Sequence, residues 1–368
     1  MALEIRTTRT THPKALPAPA ELGFGKHFSD HVLVVDWSEK QGWHDARIEP
    51  YHGFTLDPAA SVLHYGQALF EGLKAFRTDA GDIQLFRVHA HGERMGKGAP
   101  RLCMPALETP DFIAAAKAFV NVEQSWVPAA QGTALYLRPT LIADEPFLGV
   151  RPSSRYKFFL IGSPVGSYYG GDALKPVRIW IETEQSRAPR GGLGAVKAAA
   201  NYAASLQASV RAKKAGFDQV LWLDAKEHAY VEEVGTMNLF AVFGDTLVTP
   251  PLSDSILAGI TRDSILALAP ALGIKAEERR VSVRELIEGQ KNGTLKEVFG
   301  SGTAAVISPV GELSTGTDKI VIGNGQPGEI ALRFYNEITG IQRGARPDTR
   351  GWLTKVVSSA SVSAAAQL

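Results

Sequence analysis

The chain has 368 residues, 45% of them apolar and 21% charged, with a formal net charge of +1. That length supports two ordinary domains with sizeable cores, and the near-neutral balance argues against nucleic acid or an anionic membrane surface as partner. A single cysteine, Cys103, excludes an internal disulfide framework and a cysteine-rich metal site.

Residues 1–30 carry early charges and prolines and read as an N-terminal extension without a secretory signal. No run of about 20 apolar residues predicts a membrane span, so a cytoplasmic protein is expected. HVLVVDW (31–37), GLKAFRT (72–78) and IQLFR (83–87) are rich in β-branched and aromatic residues and predict strands, the last two joined by the turn sequence DAGD. HAHGERMGKGAPRL predicts a helix, and PDFIAAAKAFVNVEQSW a second, with Pro110 near its start. TALYLRPTLIA (133–143) and YKFFLIG (156–162) predict buried strands. These elements suggest a small α/β domain over residues 31–165, with 166–176 as an interdomain loop.

The larger domain, 177–355, opens with the strand VRIWIETE. Asn201 is expected to cap a helix running to Lys214, with Tyr202, Leu206 and Val210 on one face and Gly216 as its stop. A meander follows in DQVLWLD, EHAYVEEVG, MNLFAVF and TLVTP. Then come a helix in ITRDSILALAPALG, a strand KEVFG ending in the turn GSGT, and a final amphipathic helix in EIALRFYNEITGIQRG. Residues 356–368 read as a disordered tail. Strands and helices mix without a regular βαβ rhythm, which predicts α+β or mixed α/β.

The stretch GGLGAVKAAANYAA sets Lys197 among small residues. It lacks the spacing and the hydroxyl of a phosphate-binding P-loop, and it lacks the third glycine of a dinucleotide fingerprint. A surface lysine beside a flexible loop is the plain alternative. Desolvation would instead depress the ammonium and suit Schiff-base chemistry with a planar carbonyl cofactor, for which small neighbours leave room. A pyridine ring used as an electron sink then needs a carboxylate at its nitrogen, and Glu232 and Glu233 are adjacent on a strand, so only one can face inward. Gly259-Ile260-Thr261 at a helix start and GSGT (300–303) offer N–H groups to an anion. Tyr136 and Arg138 share a strand face, suited to a substrate pocket or a buried network. His89 and His91 give a weak metal signal, better read as a solvated helix start, and no metal site is expected.

Taken in order, HYGQALFEGLKAFR, HGERM, LYLRPTLI, GAVKAAANYAASL, VLWLD, EEVGTMNLF, TPPLSDSILAGITRDSIL and EVFGSGTAAVISP resemble the branched-chain amino acid aminotransferases, over about residues 22–345. The resemblance implies a two-domain fold type IV architecture, each domain a β-sheet or barrel with flanking helices. It also implies pyridoxal 5'-phosphate as cofactor and a homodimer. Leucine, isoleucine or valine would exchange their amino group with 2-oxoglutarate. By the same resemblance Lys197 matches the Schiff-base lysine, Tyr202 the partner of the ring hydroxyl and Glu233 the residue at the ring nitrogen. Arg94, Ile260, Thr261 and Thr303 would hold the phosphate, and Leu257 would pack on the ring. Phe24, Tyr65, Phe70, Tyr136, Arg138, Tyr168 and Thr236 would line the substrate pocket, and Thr303 with Ala304 would hold the substrate carboxylate. The Cys-x-x-Cys of mammalian members is replaced by Ala305-Val306-Ile307-Ser308, so no thiol switch of that kind is expected. A D-amino acid aminotransferase or aminodeoxychorismate lyase on the same fold is the nearest alternative, and a P-loop-like nucleotide-binding protein the alternative from another class.

Overall fold

The computed structural model describes residues 3–166, 174–316 and 319–357. Its contacts divide the chain into two units: Met1–Gly170 with Lys197–Ala199 and Gly340–Leu368, and Gly171–Val196 with Ala200–Thr339.

The first unit is built on one sheet of β1 (Arg6–Thr7), β2 (His31–Ser38), β3 (Gly42–Pro50), β4 (Ala68–Phe70), β5 (Leu73–Arg77), β6 (Ile83–Phe86), β7 (Ala134–Ala143), β8 (Arg155–Val165) and a C-terminal strand, Leu353–Val357. The order is β1-β3-β2-β8-β7-β5-β6 followed by Leu353–Val357, with β4 also paired to β7. The expected hairpin of β5 and β6 is present, antiparallel, with Ala75 opposite Leu85. β7 is apolar and buried along most of its length, β8 is buried on alternate residues over its first part, and the two pair along their length. The short helix α1 (Ser61–Tyr65) precedes β4. Two longer helices, α2 (Val88–Gly98) and α3 (Thr109–Val122), pack on each other. Pro110 sits in the first turn of α3, where its missing N–H costs nothing.

The second unit contains a closed barrel. Its strands are β9 (Val177–Ile181), β10 (Gln219–Leu223), β11 (Val231–Val234), β12 (Met237–Phe243), β13 (Thr246–Thr249), β14 (Lys275–Glu278), β15 (Leu295–Gly302), β16 (Val306–Ser314) and β17 (Lys319–Val321). The path β11-β10-β9-β16-β15-β12 returns on itself because β11 also pairs with β12. Closure leaves no free edge along that ring. The fold is thus mixed α/β, as expected, with one of its sheets a barrel.

Two expectations about helices change. Asn201 does not cap a helix to Lys214: it lies inside α4 (Ala199–Ala204), which is separate from α5 (Leu206–Lys214). The buried face of α5 is made by Ala208 and Ala212, while Leu206 and Val210 are exposed. Gly216 does end the segment, with a φ of +85° that favours glycine. GSGT is likewise not all turn, since β15 runs through Gly302.

Beyond α6 (Ile260–Leu268) and α7 (Val283–Lys291), the last helix, α8 (Glu329–Arg343), begins against β15. The buried Glu297 carboxylate accepts the Ile330 N–H at 2.9 Å and the Ala331 N–H at 3.0 Å. An anion there satisfies orphan donors and meets the positive end of the helix. Gly328 is required beside it, since a Cβ would overlap the Glu297 side chain. Glu297→Ala should lower stability by about 1–3 kcal/mol, read as a shift of the unit's urea midpoint, and an unchanged midpoint would refute the capping role.

Candidate active site

In the first unit, the site is organised by three consecutive residues, Phe70, Glu71 and Gly72. The Phe70 N–H donates to the Lys197 carbonyl at 3.2 Å, and Leu69 pairs with Ala198 in an antiparallel bridge. The backbone of Lys197 is therefore clamped to the end of β4. Its amine lies 4.9 Å from the centre of the Phe70 ring. Lys197 is half-buried as a residue, and the protein atoms crowded about its amine push its pKa down to about 8. Burial is the largest cause. The charges of Arg94 and Arg138 act in the same direction, and Glu71 and Tyr136 oppose them.

Glu71 is completely buried. Its carboxylate accepts Arg94 Nε at 2.7 Å and Nη2 at 2.8 Å, His91 Nδ1 at 2.8 Å and the Gly72 N–H at 3.1 Å. Burial alone would raise its pKa; Arg94 and His91 outweigh that and hold it well below the usual carboxylate range. His91 and Arg94 are three residues apart on α2 and so face the same way. His91 is thus not the solvated helix start expected from the sequence: it is buried on Glu71, and burial depresses its pKa. His89 is exposed. Among the described residues no group of three or more His, Cys, Asp or Glu is placed to hold a metal ion.

On β7, Arg138 Nη2 donates to the Tyr136 hydroxyl at 3.0 Å, and the guanidinium lies 4.6 Å from the Phe70 ring centre. Phe24 packs on Tyr136 with centroids 5.0 Å apart. Gly72 makes this possible, because a Cβ at that position would overlap the Tyr136 hydroxyl. Lys197, Phe70, Arg94, Tyr136, Arg138 and Phe24 therefore belong to one connected set. Tyr65, at the end of α1, is exposed. Tyr168 lies outside the described residues.

In the second unit, the glycines before Lys197 serve the backbone. A Cβ on Gly194 would overlap the main chain of Ser255, so the bare side of that glycine is filled. Arg187 Nη2 donates to the carbonyls of Gly194 and Ser255 at 2.8 and 2.6 Å. Asn201 Nδ2 donates to those of Leu193 and Val196 at 2.7 and 2.9 Å. The loop is pinned, not flexible.

On β11 the two glutamates differ in burial and partners. Glu233 is buried, with Oε1 accepting the Leu257 N–H at 2.7 Å and Oε2 lying 3.1 Å from Arg187 Nε. Glu232 is half-buried and accepts the Ser255 hydroxyl at 2.5 Å, with burial raising its pKa. Leu257 is also held from its carbonyl side by Asn238 Nδ2 at 2.9 Å. Gly259, whose Cβ would overlap Asn238, is the N-cap of α6, and Ile260 and Thr261 are buried in its first turn. Tyr202 is half-buried on α4. Thr303 and Ala304 are half-buried in the turn between β15 and β16, and Thr236, exposed, precedes β12.

Residues 68–313 match the family described as amino-transferase class IV. The chain belongs to that family. Its relatives are named as aminotransferases too. It is 49% identical over 352 residues, 96% of this chain and 99% of the relative, to branched-chain-amino-acid transaminase 1 of Bacillus subtilis. It is 48% identical over 342 residues, 92% and 93%, to the branched-chain-amino-acid aminotransferase of Mycolicibacterium smegmatis. Among solved structures, the T.th. branched-chain amino acid aminotransferase with pyridoxamine 5'-phosphate superposes with a TM-score of 0.74 at 29% identity, covering 88% of this chain and 98% of that one. The Escherichia coli enzyme gives 0.72 at 26%, covering 89% and 99%.

Glu71, Arg187 and Asn238 were not singled out in the sequence as site residues, and His91 stood out there only as a weak metal signal. The available signal was a glutamate embedded in an apolar run, which needs a buried partner.

The depressed Lys197 pKa predicts that its free amine dominates above pH 8 and not only above 10.5. Its rate of reaction with pyridoxal, followed at the imine absorbance, should rise with pH and level off above about 8. Lys74 is also pushed down to about 8 by burial, so the rate remaining in Lys197→Ala must be subtracted. A midpoint near 10.5 after subtraction would contradict the burial argument.

Proposed function

We propose that this aminotransferase is a pyridoxal 5'-phosphate-dependent branched-chain-amino-acid aminotransferase, exchanging the amino group of leucine, isoleucine or valine with 2-oxoglutarate by a reversible ping-pong reaction. The observation that carries the proposal is the clamped, half-buried Lys197 with its amine near pKa 8. The near full-length likeness to relatives named for that reaction supports the choice of substrate.

The donor set fits the cofactor. A lysine of depressed basicity, a buried carboxylate fixed by a backbone N–H, a forked arginine and a helix N-terminus answer to an aldehyde, a ring nitrogen and a phosphate. Arg94, Ile260, Thr261 and Thr303 would hold the phosphate. Glu233 would keep the ring nitrogen protonated, Tyr202 would bond the ring hydroxyl and Leu257 would pack on the ring. When bound, the cofactor supplies the carbonyl that accepts the amino group and a ring that withdraws electrons.

Lys197, whose pKa of about 8 gives it far more free amine near neutral pH than an ordinary lysine, takes the proton from the substrate Cα as general base and returns it in the reverse half-reaction. Phe24, Phe70 and Tyr136 offer apolar surface to a branched side chain, and by the resemblance Tyr65 and Thr236 would add to the lining. Arg138, steadied by Tyr136 and stacked over Phe70, is the cation for the second carboxylate of glutamate or 2-oxoglutarate. The Thr303 and Ala304 N–H groups would hold the α-carboxylate.

A homodimer is part of the proposal. The loop after Pro146 is tied to the segment before α1 by the Ala60–Pro146 bridge and the Phe147 N–H to Ala59 carbonyl bond. Leu63, Phe147, Leu148 and Val150 are exposed there, Val150 to 90%. Such an apolar patch suits burial against a second copy.

The purified holoenzyme should be yellow. L-Leucine should bleach the band, 2-oxoglutarate should restore it, and D-leucine should do neither. Lys197→Ala should lower turnover by about 10²- to 10⁴-fold, the range of a lost general base. A colourless protein, or one bleached by the D-isomer, would reject the assignment.

A further inference from the structure

Glu71 has no role in the chemistry proposed above, yet it is the most enclosed charge of the first unit. Four donors meet its carboxylate: both nitrogens of one edge of Arg94, the His91 ring and the Gly72 N–H. Burying a carboxylate costs several kcal/mol unless a partner of good geometry compensates, and the Arg94 fork is such a partner. The arrangement is expensive for a site that needs only a positive charge. A carboxylate on Arg94 also cancels part of the attraction that Arg94 would exert on an anion. If raw charge were the requirement, an apolar residue at position 71 would serve better.

We infer that Glu71 is a positioning residue for the anion-binding guanidinium of Arg94. The inference rests on the reading of Arg94 as a phosphate ligand. An arginine on a helix surface has a long rotatable stem, and each bond it makes to a ligand must first meet the entropy of ordering that stem. Glu71 fixes the Nε–Nη2 edge, so the plane of the guanidinium is set before an anion arrives. Glu71 is itself fixed, since its backbone continues β4, and Phe70 beside it carries the clamp on Lys197. His91 adds a donor from α2 one turn before Arg94. Its depressed pKa keeps it uncharged near neutral pH, so it steadies Glu71 without adding a second cation. One carboxylate thereby sets the orientation of the arginine in fixed relation to the reactive lysine.

Dissociation constants for pyridoxal 5'-phosphate and for pyridoxal, which lacks the phosphate, test this on the full-length protein. They are read from the imine absorbance in the wild type, Glu71→Gln, Arg94→Ala and the double variant. Glu71→Gln should weaken the phosphorylated compound by roughly 10- to 100-fold, the usual loss when an outer partner of a ligand is removed, while pyridoxal changes by less than about 3-fold. The double variant should be no weaker than Arg94→Ala alone, because the two residues act through one contact. Retained pyridoxal binding shows that the Glu71→Gln chain is folded at the site. If Glu71→Gln binds the phosphorylated compound as tightly as the wild type, or more tightly, while Arg94→Ala loses it, the positioning role is wrong and Glu71 only neutralises charge. Equal losses for both compounds would also overturn it, by showing that Glu71 supports the fold or Lys197. If Arg94→Ala keeps full affinity, the phosphate reading of Arg94 fails, and this inference with it.

Discussion

One backbone hydrogen bond, from the Phe70 N–H to the Lys197 carbonyl, decides where the amine can be. With the Leu69–Ala198 bridge it makes Lys197 the end of a one-rung strand on β4. Much of the first unit's candidate site hangs from the same segment. The Phe70 ring faces both the lysine amine and the Arg138 guanidinium, Glu71 takes the Arg94 fork, and Gly72 stands clear for Tyr136. Three cations are gathered around one aromatic residue and one carboxylate. Burial of the amine first, and the repulsion of the two arginines after it, take the amine out of the ordinary lysine range.

The second unit follows a different principle. There the chain is held main chain to side chain. Leu257 is gripped at its N–H by Glu233 and at its carbonyl by Asn238, and Arg187 reaches the carbonyls of Gly194 and Ser255 while standing beside Glu233. Glycine appears where two backbones touch. Gly194 against Ser255 and Gly259 against Asn238 are steric requirements and not points of freedom. The glycine-rich stretch thus offers less open space than its composition suggests, and the small residues beyond Lys197 include the fully buried Ala198.

Strands announced themselves wherever β-branched and aromatic residues cluster, as in β2, β7 and β8. The polar strand β3, with Trp43, His44, Asp45 and Arg47, did not, because its pairing with β2 and not its composition makes it a strand. α7 carried a readable signal that went unused: Ser282 accepts the Glu285 N–H, the cap expected of Ser-x-x-Glu. Lys197 and Glu233 were legible only through an ordered series of motifs. Glu71 and His91 were not, since what makes each of them special is a partner brought by β4 or α2 from 20 or more residues away. Periodicity does not report which buried charge meets which.

Residues 197–199 count with the first unit although the chain on either side counts with the second. A chain made from its N-terminus presents β4 and α2 long before Lys197 emerges, and pairing Ala198 with Leu69 closes a loop of about 130 residues. Until that loop closes, the lysine is solvated and keeps its ordinary pKa of 10.5, so at neutral pH it is an inert ammonium. Nucleophilicity in this protein is therefore acquired and not inherited from the residue type. A partly folded chain would hold this amine almost wholly as ammonium, and the free-amine fraction rises only with the fold that buries it.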